Sequence, residues 1–515
     1  MDQNKYLMGV DIGTTSTKAV LFDRKGTVIS QHTVGYPLLS PTPSTAEQEP
    51  EEILQAVFAC INRTMAESLI SPNDLQLVSF SSAMHSVIAV DEKGKALTKS
   101  ITWADNRGAD YAEKIKNELN GHEVYLRTGT PIHPMSPLTK LLWMKNELKE
   151  AYDLAHKFIG IKEYVFHKLF GEFLIDHSIA SATGMMNLEK LEWDEEALNI
   201  AGITSDKLST LVPTTHVVKG LLPERAERLG VHKDTPFVIG ASDGVLSNLG
   251  VNAIDPGVVA VTIGTSGAIR TVSDKPITDQ KGRTFCYALT ENHWVIGGPV
   301  NNGGMTFRWV RDQFGAAESE TAKRLGLDPY EVLTEIAEKV SPGADGLLFH
   351  PYMAGERAPL WNANARGSFF GLALYHKKEH MIRAVLEGVI FNLYSVLLAL
   401  QELIGIPKGV QATGGFARSA LWRQMMADIF NQDVTIPESF ESSCLGAVIL
   451  GLYALDEIED FSIVSDMVGS TYQHTPNPEN VETYQELMSI FLSVSRSLEE
   501  DYHNIAEYQR KRLEH

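Results

Sequence analysis

Between Met8 and Val20 two apolar runs flank a polar break, Asp11-Ile12-Gly13-Thr14-Thr15-Ser16-Thr17-Lys18, a pattern that predicts a strand, a tight turn and a returning strand. Leu21-Phe22-Asp23 and the turn Arg24-Lys25-Gly26 lead into a further strand over residues 27–32, which gives an antiparallel meander. A helix opens at Glu49-Pro50-Glu51-Glu52 and carries Ile53, Ala56, Val57, Cys60, Ile61 and Met65 on one face. The next strand, residues 75–80, ends in Ser81-Ser82-Ala83-Met84-His85-Ser86. Three strands, a helix and a strand in that order predict an α/β domain with functional loops at its strand ends.

The scheme returns in the second half. Val261-Thr262-Ile263-Gly264-Thr265-Ser266-Gly267-Ala268-Ile269 repeats the strand, glycine, hydroxyls and strand, with Thr262 standing where Asp11 stood. Glycines 297, 298, 303 and 304 precede a helix over residues 305–313, and a long helix is expected from about residue 376 to 404. Its apolar core at residues 389–400 is broken by Asn392, Tyr394 and Ser395, which fits a buried helix better than a membrane span. Val410-Gln411-Ala412-Thr413-Gly414-Gly415 reads as a strand and a diglycine before a helix bearing Leu421, Met425, Met426 and Ile429. Two such hairpins suggest two similar domains facing one nucleotide.

Length and charge narrow the picture. A chain of 515 residues exceeds one core, and 43% hydrophobic with 21% charged residues is ordinary for a globular protein. Forty-five Lys and Arg against 65 Asp and Glu leave a net charge of −20, which argues against nucleic acid and anionic membranes as partners. An anionic substrate must therefore be met by a local cluster of donors. Cys60, Cys286 and Cys444 have neither metal spacing nor a disulfide pattern, so a reducing cytoplasm is expected. Residues 1–6 have no basic start before an apolar core, so no secretory signal is expected, and Leu513-Glu514-His515 reads as an expression-vector remnant.

Several groups carry candidate chemistry. Gly13 admits an anion close to the backbone, and Thr14, Thr15, Ser16 and Thr17 can donate to phosphate oxygens, as can Thr265 and Ser266 beside Gly264. Asp11, at a strand end, is placed for a hydrated Mg²⁺ near such a phosphate. Met84-His85 and Trp103-Ala104-Asp105-Asn106-Arg107 offer an aromatic plane, a carboxylate and a guanidinium, the needs of a polyhydroxylated ligand. A satisfied histidine and a surface Asp105/Arg107 ion pair are the structural alternatives. Asp243, in Gly240-Ala241-Ser242-Asp243-Gly244 between a strand and a helix, suits a general base or an N-cap. Gly414 and Gly415 let a flat base such as adenine lie against the backbone at a helix start. The helix opening at residues 135–143 reads as structural.

With these motifs in this order the chain resembles the FGGY family of carbohydrate kinases over nearly its whole length. Residues 135–143 match the family's first signature, and Gly367 through His380-Met381 to Ala384-Val385-Leu386-Glu387 match the second. The opening, with Val34-Gly35-Tyr36-Pro37-Leu38 and Ser44-Thr45-Ala46-Glu47-Gln48, is most similar to the branch that acts on gluconate. The resemblance implies a two-domain sugar kinase/Hsp70/actin (ribonuclease H-like) α/β fold with an interdomain active-site cleft. It implies domains at 1–248 and 249–455, and helices over 456–515 packing back on the body. ATP would phosphorylate the terminal hydroxyl of a sugar acid, D-gluconate, to give 6-phospho-D-gluconate and ADP.

Residue by residue, Asp243 matches the catalytic base and Met84, His85, Trp103, Asp105 and Arg107 the sugar loops. Asp11, Gly13, Thr14, Thr15 and Lys18 match the first phosphate hairpin. Gly264, Thr265 and Ser266 match the second hairpin, and Gly303, Gly414 and Gly415 complete the nucleotide set. Asp11 and Asp243 fall at the Mg²⁺ positions, and the family implies a homodimer. Arg107 and His85 would meet the gluconate carboxylate, although kinases of neutral sugars carry a comparable Trp-x-Asp-x-Arg. Ser86 departs from the glycine that follows Met-His in xylulose kinases, which weakens a ketopentose substrate. An Hsp70- or actin-type ATPase would leave both signatures unexplained, and a non-catalytic sugar sensor would not need Asp243.

Overall fold

Two hairpins of one build scaffold the chain in the computed structural model, which describes residues 5–437 and 441–513. The segment read as leaderless, up to Asn4, and the closing Glu514-His515 lie outside the described residues. Two compact units interleave along the chain: Met1–Pro256, Val272–Ile296 and Glu441–Gly469 form the first, and Gly257–Thr271, Gly297–Phe440 and Ser470–His515 the second. The chain thus returns to the first unit twice, at Val272–Ile296 and Glu441–Gly469.

In the first unit a six-stranded sheet runs in the order Val217–Val218, Phe237–Ser242, Leu75–Ser82, Tyr6–Ile12, Ser16–Phe22 and Val28–Gly35. Tyr6–Ile12 pairs antiparallel with Ser16–Phe22 and parallel with Leu75–Ser82, which in turn pairs parallel with Phe237–Ser242. Alternation along the first strand sends Met8, Val10 and Ile12 to one face, where they pack with Ile53, Val57 and Ile61 of helix Pro50–Ser68. Leu7 points to the other face, into a cluster with Val245 and Leu249 of helix Asp243–Gly250 and Val448 and Leu452 of helix Ser442–Ala454. Helix Pro137–Glu147 is capped by Ser136 and buried over its first two turns.

The second unit repeats the plan. Val258–Ile263 pairs antiparallel with Gly267–Ser273 and parallel with Gly409–Thr413, and Val434–Pro437 and Ser470–His474 extend the sheet. Helix Lys378–Ile404 is long and apolar enough to cross a membrane, yet 83% of its apolar window is buried, so it is a core helix. Helix Pro478–Ser497, read only as packing on the body, lies here with Phe491 stacked on His350 at 4.2 Å and Tyr484 against Phe391.

Candidate active site

Three parallel strands of the first unit end together, and their ends gather the first set of site residues. Register sets Asp11 opposite Ser81 and Ser82 opposite Ser242, so Asp11 and Asp243 flank the end of the central strand. Ser81 Oγ donates to Asp11 Oδ1 at 2.7 Å. Burial and the facing Asp243 charge push the Asp11 carboxyl up to about 7, although Ser81 and Lys18 pull the other way. Asp243 is the first helical residue after Ser242 and accepts Gly244 N–H at 2.6 Å, so it is not the N-cap. Lys162 braces this strand end: its Nζ sits 2.6 Å from Asp176 Oδ2 and donates to the carbonyls of Ile239 and Ala241.

The first hairpin turn closes through Gly13 N–H to Ser16 O at 2.9 Å, and Tyr36 OH donates to Gly13 O. Lys18, across the hairpin from Asp11, donates to both oxygens of Glu441 at 3.1 and 2.8 Å. Burial alone would lower the Lys18 pKa, but the hydrogen bond and charge of Glu441 raise it overall.

Trp103 Nε1 donates to Thr14 Oγ1 at 2.9 Å, which joins the predicted sugar loop to the predicted phosphate hairpin. Asp105 is buried and Arg107 half-buried beside it, so they form part of a cluster and not a surface pair. Asp105 Oδ2 accepts Ala46 N–H, and Arg107 Nε donates to Asp105 while its Nη2 donates to Glu47. The guanidinium lies 4.4 Å over the Trp143 ring. Two carboxylates thus already share Arg107, and only its Nη1 is without a partner among the described residues. His85, at φ 72°, has Nδ1 2.7 Å from Ala182 O. In the neutral ring that contact fixes the proton on Nδ1 and makes Nε2 the acceptor nitrogen. Met84 packs on the adjacent core cluster. Ser86 Oγ accepts Ile161 N–H at 2.9 Å, so its departure from glycine serves helix Ile161–Phe170 and says little about the sugar.

The second set gathers around a cavity of about 560 Å³ in the second unit, within the usual size range of ligand pockets. Gly264, Thr265 and Gly415 line it, as do Phe416 and Ser419 at the start of helix Ala420–Phe430. Gly303 N–H donates to Thr265 O, and a Cβ at Gly303 would lie 2.5 Å from Ser266 O, so this approach requires glycine. Gly414 has φ 108° and a Cβ there would meet Ile263 O at 2.3 Å, whereas one at Gly415 meets nothing within 4 Å. Gly414 holds the turn, and Gly415 leaves the space. The opposite wall is Phe307 and Arg308 with Tyr330, Thr334 and Glu335 of helix Pro329–Glu338.

Several of these side chains escaped the sequence reading. The wall helix Pro329–Glu338 has the pattern of any solvated amphipathic helix. Lys140 and Lys162 did leave a signal, each a lysine inside an otherwise apolar run. Lys140 is buried and donates to His85 O and Met135 O, both at 2.6 Å, which pins the His85 turn. Burial pushes its ammonium down to about 7 against the pull of Asp105.

A repeated phosphate-type hairpin, paired carboxylates at strand ends and a glycine-edged cavity define a nucleotide-dependent phosphotransferase, and comparison with known proteins gives the family. Residues 6–250 match the N-terminal domain of the FGGY family of carbohydrate kinases and residues 259–455 its C-terminal domain. The chain belongs to that family, whose kinases use ATP as co-substrate. It is 64% identical to the gluconokinase of Bacillus subtilis (strain 168) over 514 residues, 99% of each chain. A crystal structure of gluconate kinase from Lactobacillus acidophilus aligns over 97% of this chain and 99% of that one, with TM-score 0.92 and 39% identity. A ligand-bound xylulose kinase structure from the same organism matches at TM-score 0.92 and 39% identity, over 97% of this chain and 100% of that one.

Proposed function

We propose that this kinase transfers the γ-phosphoryl group of ATP to the terminal hydroxyl of D-gluconate, forming 6-phospho-D-gluconate and ADP. The observation that carries the substrate is the 64% identity, over 99% of both chains, to the B. subtilis gluconokinase. Trp103, fixed by Thr14, offers the wall for the carbon chain, and His85 Nε2 accepts a sugar hydroxyl. Asp243 takes the proton of the attacking hydroxyl as the new O–P bond forms and the bond to the ADP oxygen breaks. A positioned base supplies roughly 10²- to 10⁴-fold, so alignment and charge stabilisation must provide the rest. The Arg107 Nη1 edge meets the substrate carboxylate.

A cation fits the first-unit carboxylates. Asp11 and Asp243 face one another, and the charge of Asp243 adds to burial in raising the Asp11 carboxyl, a repulsion that a bound cation would relieve. Among the described residues no group of three His, Cys, Asp or Glu could hold a metal, so water and phosphate would have to supply most ligands of a Mg²⁺ held at the two carboxylates. Asp11 and Asp243 would hold it, and when bound it neutralises charge on the transferring phosphoryl group. The 560 Å³ cavity receives the nucleotide, with the base against Gly415 and the phosphates toward Gly264 and Thr265. We further read the protein as cytoplasmic, in keeping with its three free buried cysteines, and as a homodimer, which sedimentation would test.

The deciding experiment is ATP-coupled turnover against gluconate, xylulose, ribulose and glycerol. Gluconate is expected to give by far the highest kcat/KM; a xylulose preference would transfer the assignment to the other L. acidophilus-like activity. Asp243→Asn should lower kcat by roughly 10²-fold or more while ADP binding persists, and near-normal turnover would overturn the base assignment.

A further inference from the structure

We propose that Arg383, Glu387 and Tyr484 form a positioning triad through which the helix Pro478–Ser497 sets the wall of the nucleotide cavity. The inference rests on the reading of the 560 Å³ cavity as the nucleotide's. All three side chains are buried, at 4%, 2% and 1% exposure. Arg383 Nη1 donates to Ala337 O at 3.3 Å, in the last turn of the wall helix Pro329–Glu338, and to Val340 O at 2.6 Å, just past its end. Ala337 O also accepts Val340 N–H at 3.1 Å, so the guanidinium reinforces the turn that closes the helix, and a cation is the favoured group at a helix C-terminus.

Arg383 is itself held in place. Its Nε donates to Glu387 Oε1 at 2.7 Å and its Nη2 to Tyr484 OH at 3.1 Å, while Tyr484 OH donates to the same Glu387 oxygen at 2.8 Å. Gly343 N–H adds a further bond to Glu387 at 3.0 Å, which ties the turn after the wall helix to the same carboxylate. The wall helix faces the cavity with Tyr330, Thr334 and Glu335. Any rotation of the guanidinium therefore moves the end of the helix that shapes the pocket. Tyr484 is the one member carried by helix Pro478–Ser497, so this helix acts on the cavity without lining it.

Tyr484→Phe removes one hydroxyl and keeps the ring against Phe391, while the Phe491 stack on His350 still anchors the helix. The expected result is a rise in KM for ATP, and a matching loss of ADP affinity by calorimetry, of roughly threefold to tenfold, the effect of one lost hydrogen bond to a charged network. KM for gluconate and kcat at saturating ATP should hold. Unchanged ADP affinity, or KM values that rise together for both substrates, would overturn the proposal. Phe307→Ala, on the wall itself, separates the two readings. If it weakens ADP and Tyr484→Phe does not, the triad fails alone; if neither weakens ADP, the cavity assignment fails and the triad with it. Arg383→Lys, which cannot reach both carbonyls and Tyr484 at once, should weaken ADP at least as much as Tyr484→Phe.

Discussion

At the residue scale the site is built on buried charges whose partners are mostly main-chain carbonyls and amides. Glu163 illustrates the cost. Burial pushes its carboxyl from 4.5 up to about 7, against hydrogen bonds from Ser209 Oγ and Gly160 N–H. Between those values the folded chain holds a proton that the unfolded chain has released, so stability falls as pH rises from about 4.5 to 7 and falls no further above it. Glu163→Gln cannot titrate, and its melting temperature should decline less steeply than the parent's between pH 5 and 7; parallel curves would show that Glu163 does not set the slope. Residues of this kind mark how far the sequence could be read. Asp11 and Asp243 stood out because a carboxylate at a strand end beside glycine is a recognisable pattern. The partners of Lys162 at Ile239 and Ala241 belong to a segment remote in sequence, and no local pattern announces them.

At the element scale the repeated hairpin was legible because a strand, a glycine, hydroxyls and a second strand are contiguous. The parallel pairing of Val258–Ile263 with Gly409–Thr413 was not, since it depends on closing a long intervening chain. It is this pairing that brings Gly414 under Ile263 O. Gly414→Ala should therefore damage the element itself, with a loss on the order of 1–3 kcal/mol from a backbone at φ 108° and ψ −179° that only glycine adopts readily and a 2.3 Å clash, visible as a lower melting temperature without any ligand. Gly415→Ala meets no protein atom and should leave the melting temperature unchanged while weakening ADP. A melting temperature for Gly414→Ala equal to the parent's would remove Gly414 from its role as the turn's pivot.

At the scale of the whole molecule the charge and the proposed substrate oppose each other. The chain carries −20, and its substrates, gluconate and ATP, are anions, so the long-range field hinders encounter while the site must attract locally. In the sugar loop the local attraction is thin: Arg107 already balances Asp105 and Glu47, and Lys140 is engaged with two carbonyls under His85. The global term should then dominate the response to salt. As the Debye length shrinks from about 30 Å at 0.01 M to about 8 Å at 0.15 M, KM for gluconate should fall by about threefold with kcat little changed. A KM that rises with salt would mean that the local cations outweigh the field of the whole chain. The Arg107 Nη1 edge would then be the dominant contact to the carboxylate, and Arg107→Met should abolish the salt dependence along with most of the affinity.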